Sequence, residues 1–461
     1  MTNGASLASR AVFASPELLG TLAVNLYGLR LAIQRFRPPF AACHDWLDRT
    51  QWWAPDEIEA FQSARLTAIL AAAREQVPYY RSLTAADFVD GPAWSTSDLG
   101  RLPLLTRESL RQGGAALVSE GAAARRPVRE RSSGTTGQQL EFLLPRLLAH
   151  SLSYALLYRF YGWAGVRLGD RRVTLGGRVL PGRRPYWVHN RAENQLLLAV
   201  AHLNEDTVDA YIERMRSFAP VFVAAHPSAA AFIAARLCQR HETLAVRAVF
   251  TTGETLDPVQ REDIERGFSC EVFESYGMTE SVVAAFECEA HRGFHDAVEL
   301  GVTELLPHSR ELRAVAGTSL WNDVMPFIRY ATGDLVEPAE SPHCPCGRGL
   351  PLRFRRVVGR HDDVLRTPDG RTVIPVAVRT LVKPHLDPFE TYQVQQLDRR
   401  SYRLLLAGAG GRQPVLTPSR AHALDSALRE VLGGDARLRI DPVEAIETTS
   451  LKARTVVNLS D

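Results

Sequence analysis

The segment Arg131-Ser132-Ser133-Gly134-Thr135-Thr136-Gly137 packs hydroxyls and glycines into one short stretch. Glycine lets backbone N–H groups approach phosphate oxygens, and Ser and Thr hydroxyls add donors. No Gly-Lys-Ser/Thr follows, so this is not the lysine-bearing loop of P-loop NTPases. Further polar segments come in order. Thr251-Thr252-Gly253-Glu254 follows the apolar Val249-Phe250, and Glu274-Ser275-Tyr276-Gly277-Met278-Thr279-Glu280 follows Val272-Phe273. Arg329-Tyr330-Ala331-Thr332-Gly333-Asp334-Leu335 and Gly359-Arg360-His361-Asp362-Asp363 come next. Several of these sit just after a strand candidate, where α/β sheets place ligands. Their residue types suit a nucleotide: an aromatic for the base, a carboxylate for Mg²⁺, an acid for ribose hydroxyls and an Arg for phosphate.

A second cluster is built of metal ligands. Glu287-Cys288-Glu289-Ala290-His291-Arg292-Gly293-Phe294-His295 offers one thiol and two imidazoles, and Pro342-His343-Cys344-Pro345-Cys346-Gly347-Arg348 offers two thiols one residue apart. Three Cys and one His make a closed tetrahedral Zn²⁺ site, which is structural because no position is left for a catalytic water. The residues alone leave His291 and His295 both open for the fourth place. Cys43, Cys238 and Cys270 are scattered and read as buried reduced thiols.

The elements that must position these residues alternate. Val173–Leu175, Val221–Ala224, Ala248–Phe250 and Glu271–Phe273 are strand candidates. Helical stretches such as Glu205–Phe218 and Ala229–His241 lie among them, which argues for a partly parallel α/β sheet. The region up to about Arg81 is helical, with Pro55-Asp56-Glu57 as a helix start. From Leu18 to Ile33 the hydrophobes Leu18, Leu22, Leu26, Leu29 and Ile33 recur at helical spacing. This reads as a core or docking helix, too interrupted to span a bilayer. Composition shifts near Gly359-Arg360. Beyond it, Phe389–Gln396 and Tyr402–Leu406 read as a hairpin, Ala421–Leu432 as a helix stopped by Gly433-Gly434, and Arg437–Ile440 as a strand. The fold class is thus α/β, with a large domain over 1–361 and a smaller α+β domain over 362–461.

The chain has 461 residues, more than one ordinary core accommodates. It is 45% hydrophobic and 23% charged, with 54 basic against 52 acidic residues and a net charge of +2. That excludes a wholly disordered chain and gives no charge-based case for nucleic acid or membrane as partner. With six Cys, no disulfide scaffold and no apolar leader, the cytoplasm is the expected compartment.

Taken in order, the polar segments resemble the acyl-adenylate-forming superfamily of acyl-CoA ligases, peptide-synthetase adenylation domains and luciferases. The likeness is greater to its phenylacetate-CoA ligase branch, including relatives found with capsular-polysaccharide genes. Asn25-Leu26-Tyr27-Gly28, Gln51-Trp52-Trp53 and Val77-Pro78-Tyr79-Tyr80-Arg81 look like that subgroup, and the resemblance runs over nearly the whole chain.

The resemblance implies a two-step reaction. A small carboxylic acid attacks the α-phosphorus of ATP, giving acyl-AMP and pyrophosphate; a nucleophile, most simply CoA, then displaces AMP. The alternative acceptor is an amine, a hydroxyl or a carrier thiol, and the alternative substrate a different oxyacid. Carried over by residue, Ser132, Ser133, Gly134, Thr135, Thr136 and Gly137 would hold the β- and γ-phosphates. Gly253, Glu254, Ser275 and Gly277 would line the nucleotide pocket and Tyr276 would stack on adenine. Thr279 would meet the α-phosphate, Glu280 would hold Mg²⁺, Asp334 would bind the ribose hydroxyls bidentately, and Arg360 would contact ribose or phosphate. Lys452, on a mobile C-terminal domain hinged at Asp362 or Asp363, would neutralise the charge developing in the first step. The resemblance favours Cys288, His295, Cys344 and Cys346 as the zinc set, and implies a homodimer. Gly176–Val179 and His226-Pro227-Ser228 would line the acyl side. The aromatic helix with Tyr154, Tyr158, Phe160, Tyr161 and Trp163 reads as core packing more readily than as an aryl pocket. Gln139 stands where the family often has Pro, and Leu451 where Gly is frequent.

Overall fold

A computed structural model describes residues 17–83, 93–132, 140–176, 186–360, 365–369, 372–373, 378, 381–386, 390–408, 412–446 and 455–459. The chain divides into two compact units. One comprises Met1–Asp170, His189–Gln195 and Phe273–Val357, the other Arg171–Val188, Leu196–Val272 and Val358–Asp461.

The first unit opens with helices. Glu17–Phe36, Phe40–Thr50 and Pro55–Gln76 follow one another. Pro55 takes the first helical position, where its missing N–H costs nothing, and the Glu57 carboxylate accepts the Ala54 N–H at 2.8 Å. The Glu17–Phe36 helix has the expected period, but its stripe faces outward: Leu22, Leu26 and Leu29 are exposed. It docks through Phe36, whose ring meets Tyr154 and Tyr158 edge-on, and through polar and small residues. Asn25 donates to the His189 carbonyl at 3.1 Å and accepts the Arg191 N–H, and Arg35 pairs with Glu193 at 2.5 Å. A Cβ on Gly28 would lie 2.2 Å from Asn190 Oδ1, so glycine sets the approach distance.

The aromatic helix Ser153–Trp163 is core, as its pattern predicts. Tyr158, Phe160 and Tyr161 are buried, and Phe160 stacks on Phe286 at 5.0 Å. Its Arg159 is among the largest fully buried side chains. It pairs with Glu299 at 2.5 Å and donates to the Leu47 carbonyl, while Thr50 donates to the same carboxylate.

The strands of this unit form an antiparallel run in the order 301–307, 313–319, 330–338, 352–360, 294–296, 284–287 and 271–277. A separate hairpin pairs Val128–Arg131 with Glu141–Leu144 and delivers Ser132 at its end.

In the second unit, Arg172–Gly176, Phe222–Ala225 and Ala248–Thr252 are parallel neighbours in register Val173↔Val223 and Val223↔Val249. Each is a short apolar run, as strands buried on both faces must be. Helices Val208–Phe218, Pro227–Gln239 and Pro258–Phe268 complete the alternation, and Tyr211, Met215, Ile233, Leu237 and Phe268 are wholly buried in the shared core. Among the described residues from 365 on, the unit holds the short strand pair Leu365–Arg366 with Thr372–Val373, a four-stranded sheet and the helix Pro418–Leu432. Thr391–Gln396 pairs antiparallel with Ser401–Ala407, which runs parallel to Arg437–Val443, and Val456–Asn458 adds the other edge. The helix Pro418–Leu432 puts Leu424, Leu428 and Leu432 into this core and stops at Gly433, φ +92°. Among the described residues no helix is long and apolar enough to cross a membrane.

All six cysteines are free. Cys43, Cys238 and Cys270 are half-buried rather than fully buried; Cys270 packs at the margin of the second unit's core, and burial pushes its thiol up to about 12.

Candidate functional site

In the first unit the strand Glu271–Gly277 presents half-buried Ser275, buried Tyr276 and exposed Gly277. The turn after it holds Thr279 exposed and Glu280 buried. Asp334 lies on the strand Tyr330–Pro338, just past Gly333 at φ +79°. The Tyr276 hydroxyl donates to Asp334 Oδ2 at 2.7 Å. The base-reading and ribose-reading candidates therefore touch, although nearly sixty positions separate them.

Ser132 is buried; its Oγ accepts the Leu140 N–H at 3.0 Å and lies 3.3 Å from Arg107 Nη2. Two residues before Arg107, Leu105 bridges to Tyr330: its N–H donates to the Arg329 carbonyl and its carbonyl accepts from Ala331. Arg329 holds this junction from below, pairing with Glu304 at 2.8 Å and donating to the Gly100 and Leu102 carbonyls. The segment that brings a cation to Ser132 is thus tied to the strand that carries Asp334. Sequence reading missed Arg107, because an Arg in a helix start (Thr106-Arg107-Glu108) looks like an ordinary solvated charge.

In the second unit Gly253, φ +81°, follows the strand Ala248–Thr252. Glu254 accepts the Ser228 N–H at 3.1 Å, and His226 Nδ1 lies 2.9 Å from the Thr252 carbonyl oxygen. Both turns stand at the carboxyl ends of parallel strands. Ser133, Gly134, Thr135, Thr136, Gly137, Gly177–Val179, Asp362, Asp363 and Lys452 lie outside the described residues. Arg360 ends the strand Leu352–Arg360.

The metal-ligand residues come together in the first unit. One ligand atom each from Cys288, His295, Cys344 and Cys346 lies within 4.8 Å of all the others. Cys288 Sγ is 3.6 Å from Cys344 Sγ, and Cys346 Sγ is 3.4 Å from His295 Nε2. A tetrahedral zinc with Zn–S of about 2.3 Å and Zn–N of about 2.05 Å asks for about 3.8 and about 3.6 Å. The residues fit the ion. His295 Nδ1 is bound to the Leu350 carbonyl at 2.6 Å, which turns Nε2 toward the sulfurs. Burial lowers the His295 pKa, favouring the neutral ligand form, and raises those of Cys288 and Cys344; a bound cation reverses the latter by drawing the thiol protons off. His291 is not in the cluster. Its Nδ1 sits 3.1 Å from Glu287 Oε1, and Glu287 Oε2 accepts the Glu274 N–H at 3.0 Å. The loop that starts the cluster thus also holds the strand of Tyr276. On the other side, the Arg348 guanidinium lies over Trp163 at 4.5 Å and binds Glu289 at 2.9 Å.

No family model matches the chain. It is 22% identical to Protein CapK of Staphylococcus aureus over 378 residues, 80% of this chain and 81% of that protein. It is 25% identical to a phenylacetate-coenzyme A ligase of Thermus thermophilus over 371 residues, 74% of this chain and 78% of that one. Among solved structures, 2-hydroxyisobutyryl-CoA ligase in the postadenylation state with an acyl-AMP has the same fold, with TM-score 0.68, 17% identity, and coverage of 90% of this chain and 92% of that one. Fold and sequence point the same way: the chain shares the fold of this acyl-AMP-binding CoA ligase. In sequence it is similar to CapK and to the phenylacetate-coenzyme A ligase over three quarters or more of each of those proteins.

Proposed function

We propose that this protein is an ATP-dependent ligase that activates a small carboxylic acid as its acyl-AMP and passes the acyl group to CoA. In the first step a carboxylate oxygen attacks the α-phosphorus and the bond to pyrophosphate breaks. In the second the thiolate of CoA attacks the acyl carbon and AMP leaves. The observation that carries this reading is the Tyr276–Asp334 pair, an aromatic ring and a carboxylate joined at 2.7 Å within an adenylate-forming fold.

In this reading Tyr276, Ser275 and Gly277 bind the base side, with Gly253 and Glu254 assigned to the same nucleotide, and Asp334 binds ribose. Thr279 meets the α-phosphate. Ser132 to Gly137 hold the outer phosphates, and Arg107 adds a fixed cation beside Ser132. Glu280 is the carboxylate to hold Mg²⁺, which when bound neutralises phosphate charge. Arg360 contacts ribose or phosphate. Lys452 supplies a point cation where negative charge grows as the carboxylate approaches. The functional division is 1–361 and 362–461, hinged at Asp362. Cys288, His295, Cys344 and Cys346 hold a structural zinc. A homodimer and a cytoplasmic location complete the proposal, the latter supported by six free thiols.

Pyrophosphate exchange across a panel of acids tests the first step, and adding CoA tests the acceptor. Lys452→Ala is expected to abolish exchange while leaving thioester formation from supplied acyl-AMP largely intact. Equal loss of both half-reactions removes that role, and no exchange with any acid removes the whole reading.

A further inference from the structure

Tyr276 is built as more than a flat surface for a base. Its strand is pinned in register with 284–287, Tyr276 opposite Ala285. Its ring stands edge-on to Phe354 at 5.6 Å and 90°, and Phe354 is itself stacked on Phe294 at 5.1 Å. Phe354 is fully buried and Tyr276 is 9% exposed, so the phenol axis is held by packing. The hydroxyl at the end of that axis reaches Asp334 Oδ2.

Asp334 is set from its backbone as well. Its N–H donates to Thr332 Oγ1 at 3.0 Å, and that hydroxyl donates onward to the Val315 carbonyl at 2.9 Å. Gly333 takes a left-handed turn between them, which is open to glycine at no steric cost. The carboxylate thus has a fixed root and one oxygen fixed by a charge-assisted hydrogen bond, the stronger and shorter kind.

We propose that Tyr276 is the positioning residue for Asp334, so that one side chain presents a face to the base and, through the carboxylate, selects a ribonucleotide by its sugar hydroxyls. This rests on the nucleotide-binding reading above and deepens it: the ligand class is a ribonucleoside triphosphate, and ribose selectivity depends on a phenol that need not touch the sugar. The chemical reason is geometric. A carboxylate free to rotate presents its lone pairs over many directions, and binding a diol must then stop that rotation. One oxygen held by Tyr276 removes that cost before the ligand arrives.

The test is equilibrium binding of ATP and of 2′,3′-dideoxy-ATP to the full chain and to Tyr276→Phe, which keeps the ring and removes the hydroxyl. Wild type should prefer ATP over the dideoxy analogue. Tyr276→Phe should bind ATP about tenfold more weakly and the analogue within about twofold of wild type, so the preference collapses. Asp334→Asn should collapse it too, and the double variant should be no worse than Asp334→Asn alone, because the two residues act as one unit. Equal weakening toward both nucleotides would assign Tyr276 to packing and overturn the proposal, as would an unchanged preference. A wild-type protein that binds neither ATP nor AMP overturns the nucleotide reading itself, which is a different result from either.

Discussion

The Nδ1 of His295 is taken by the Leu350 carbonyl, and that contact settles which nitrogen of its ring faces the sulfurs. His291, four positions earlier, sits in a turn at φ +49° and goes to Glu287 instead. Spacing alone could not separate the two, since the choice is made by a strand, Phe294–Asp296, that brings His295 to the far loop. The Cys-x-Cys pair was legible because thiols one residue apart in a turn have few other uses. The contact of Tyr276 with Asp334 was not, because nothing local in either segment points to the other. At this scale the expected outcome is chemical. Purified protein should carry about one zinc per chain by elemental analysis, and Cys344→Ser with Cys346→Ser should remove it and lower Tm by several degrees. Zinc-free wild type with an unchanged Tm in the double variant would end the idea.

Elements were legible where pattern and packing agree. The parallel strands of the second unit are dense in Val, Phe and Ala, and Thr391–Gln396 pairs antiparallel with Ser401–Ala407 as the expected hairpin. The antiparallel strands Gly301–Pro307 and Arg313–Ser319 were missed. Each carries a glycine, Gly301 and Gly317, where backbone approach is close and strand propensity is lost: a Cβ on Gly301 would lie 2.3 Å from the Val282 carbonyl oxygen. The outward stripe of Glu17–Phe36 was misread because helical period shows that a helix has an apolar face, not what that face meets. Two predictions belong here. Arg159→Met leaves Glu299 buried without its cation and should cost about 3–5 kcal/mol in denaturant unfolding. Where helices Val208–Phe218 and Pro227–Gln239 meet, Arg236 hydrogen bonds hold the Asp209 carboxyl down to about 2. Its folded value lies below its unfolded one, so its contribution is present above about pH 4 and is lost as pH falls toward 2. The pair is partly exposed and is worth no more than about 1 kcal/mol. The stability difference between wild type and Asp209→Asn should shrink to nothing across that window; a difference that persists at pH 2 would mean another origin.

At the scale of the molecule, composition asked only for more than one core; the two compact units do not follow the expected boundary at 361/362, since residues 171–188 and 196–272 cluster with the C-terminal part. Composition could not predict that each would be assembled from separated stretches of chain. Nearly balanced charge is equally mute about a ligand that a few fixed residues recognise. Order along the chain carried the functional reading, because five weak segments in sequence are far rarer than any one of them. The cluster of Cys288, His295, Cys344 and Cys346 has one more effect when filled. It staples residues far apart in the chain without any oxidant, so the stability of the first unit becomes a thermodynamic readout of available zinc. Each tenfold rise in the free ion adds about 1.4 kcal/mol once the site is near saturation. A cell that buffers the metal tightly then also sets how long this fold endures.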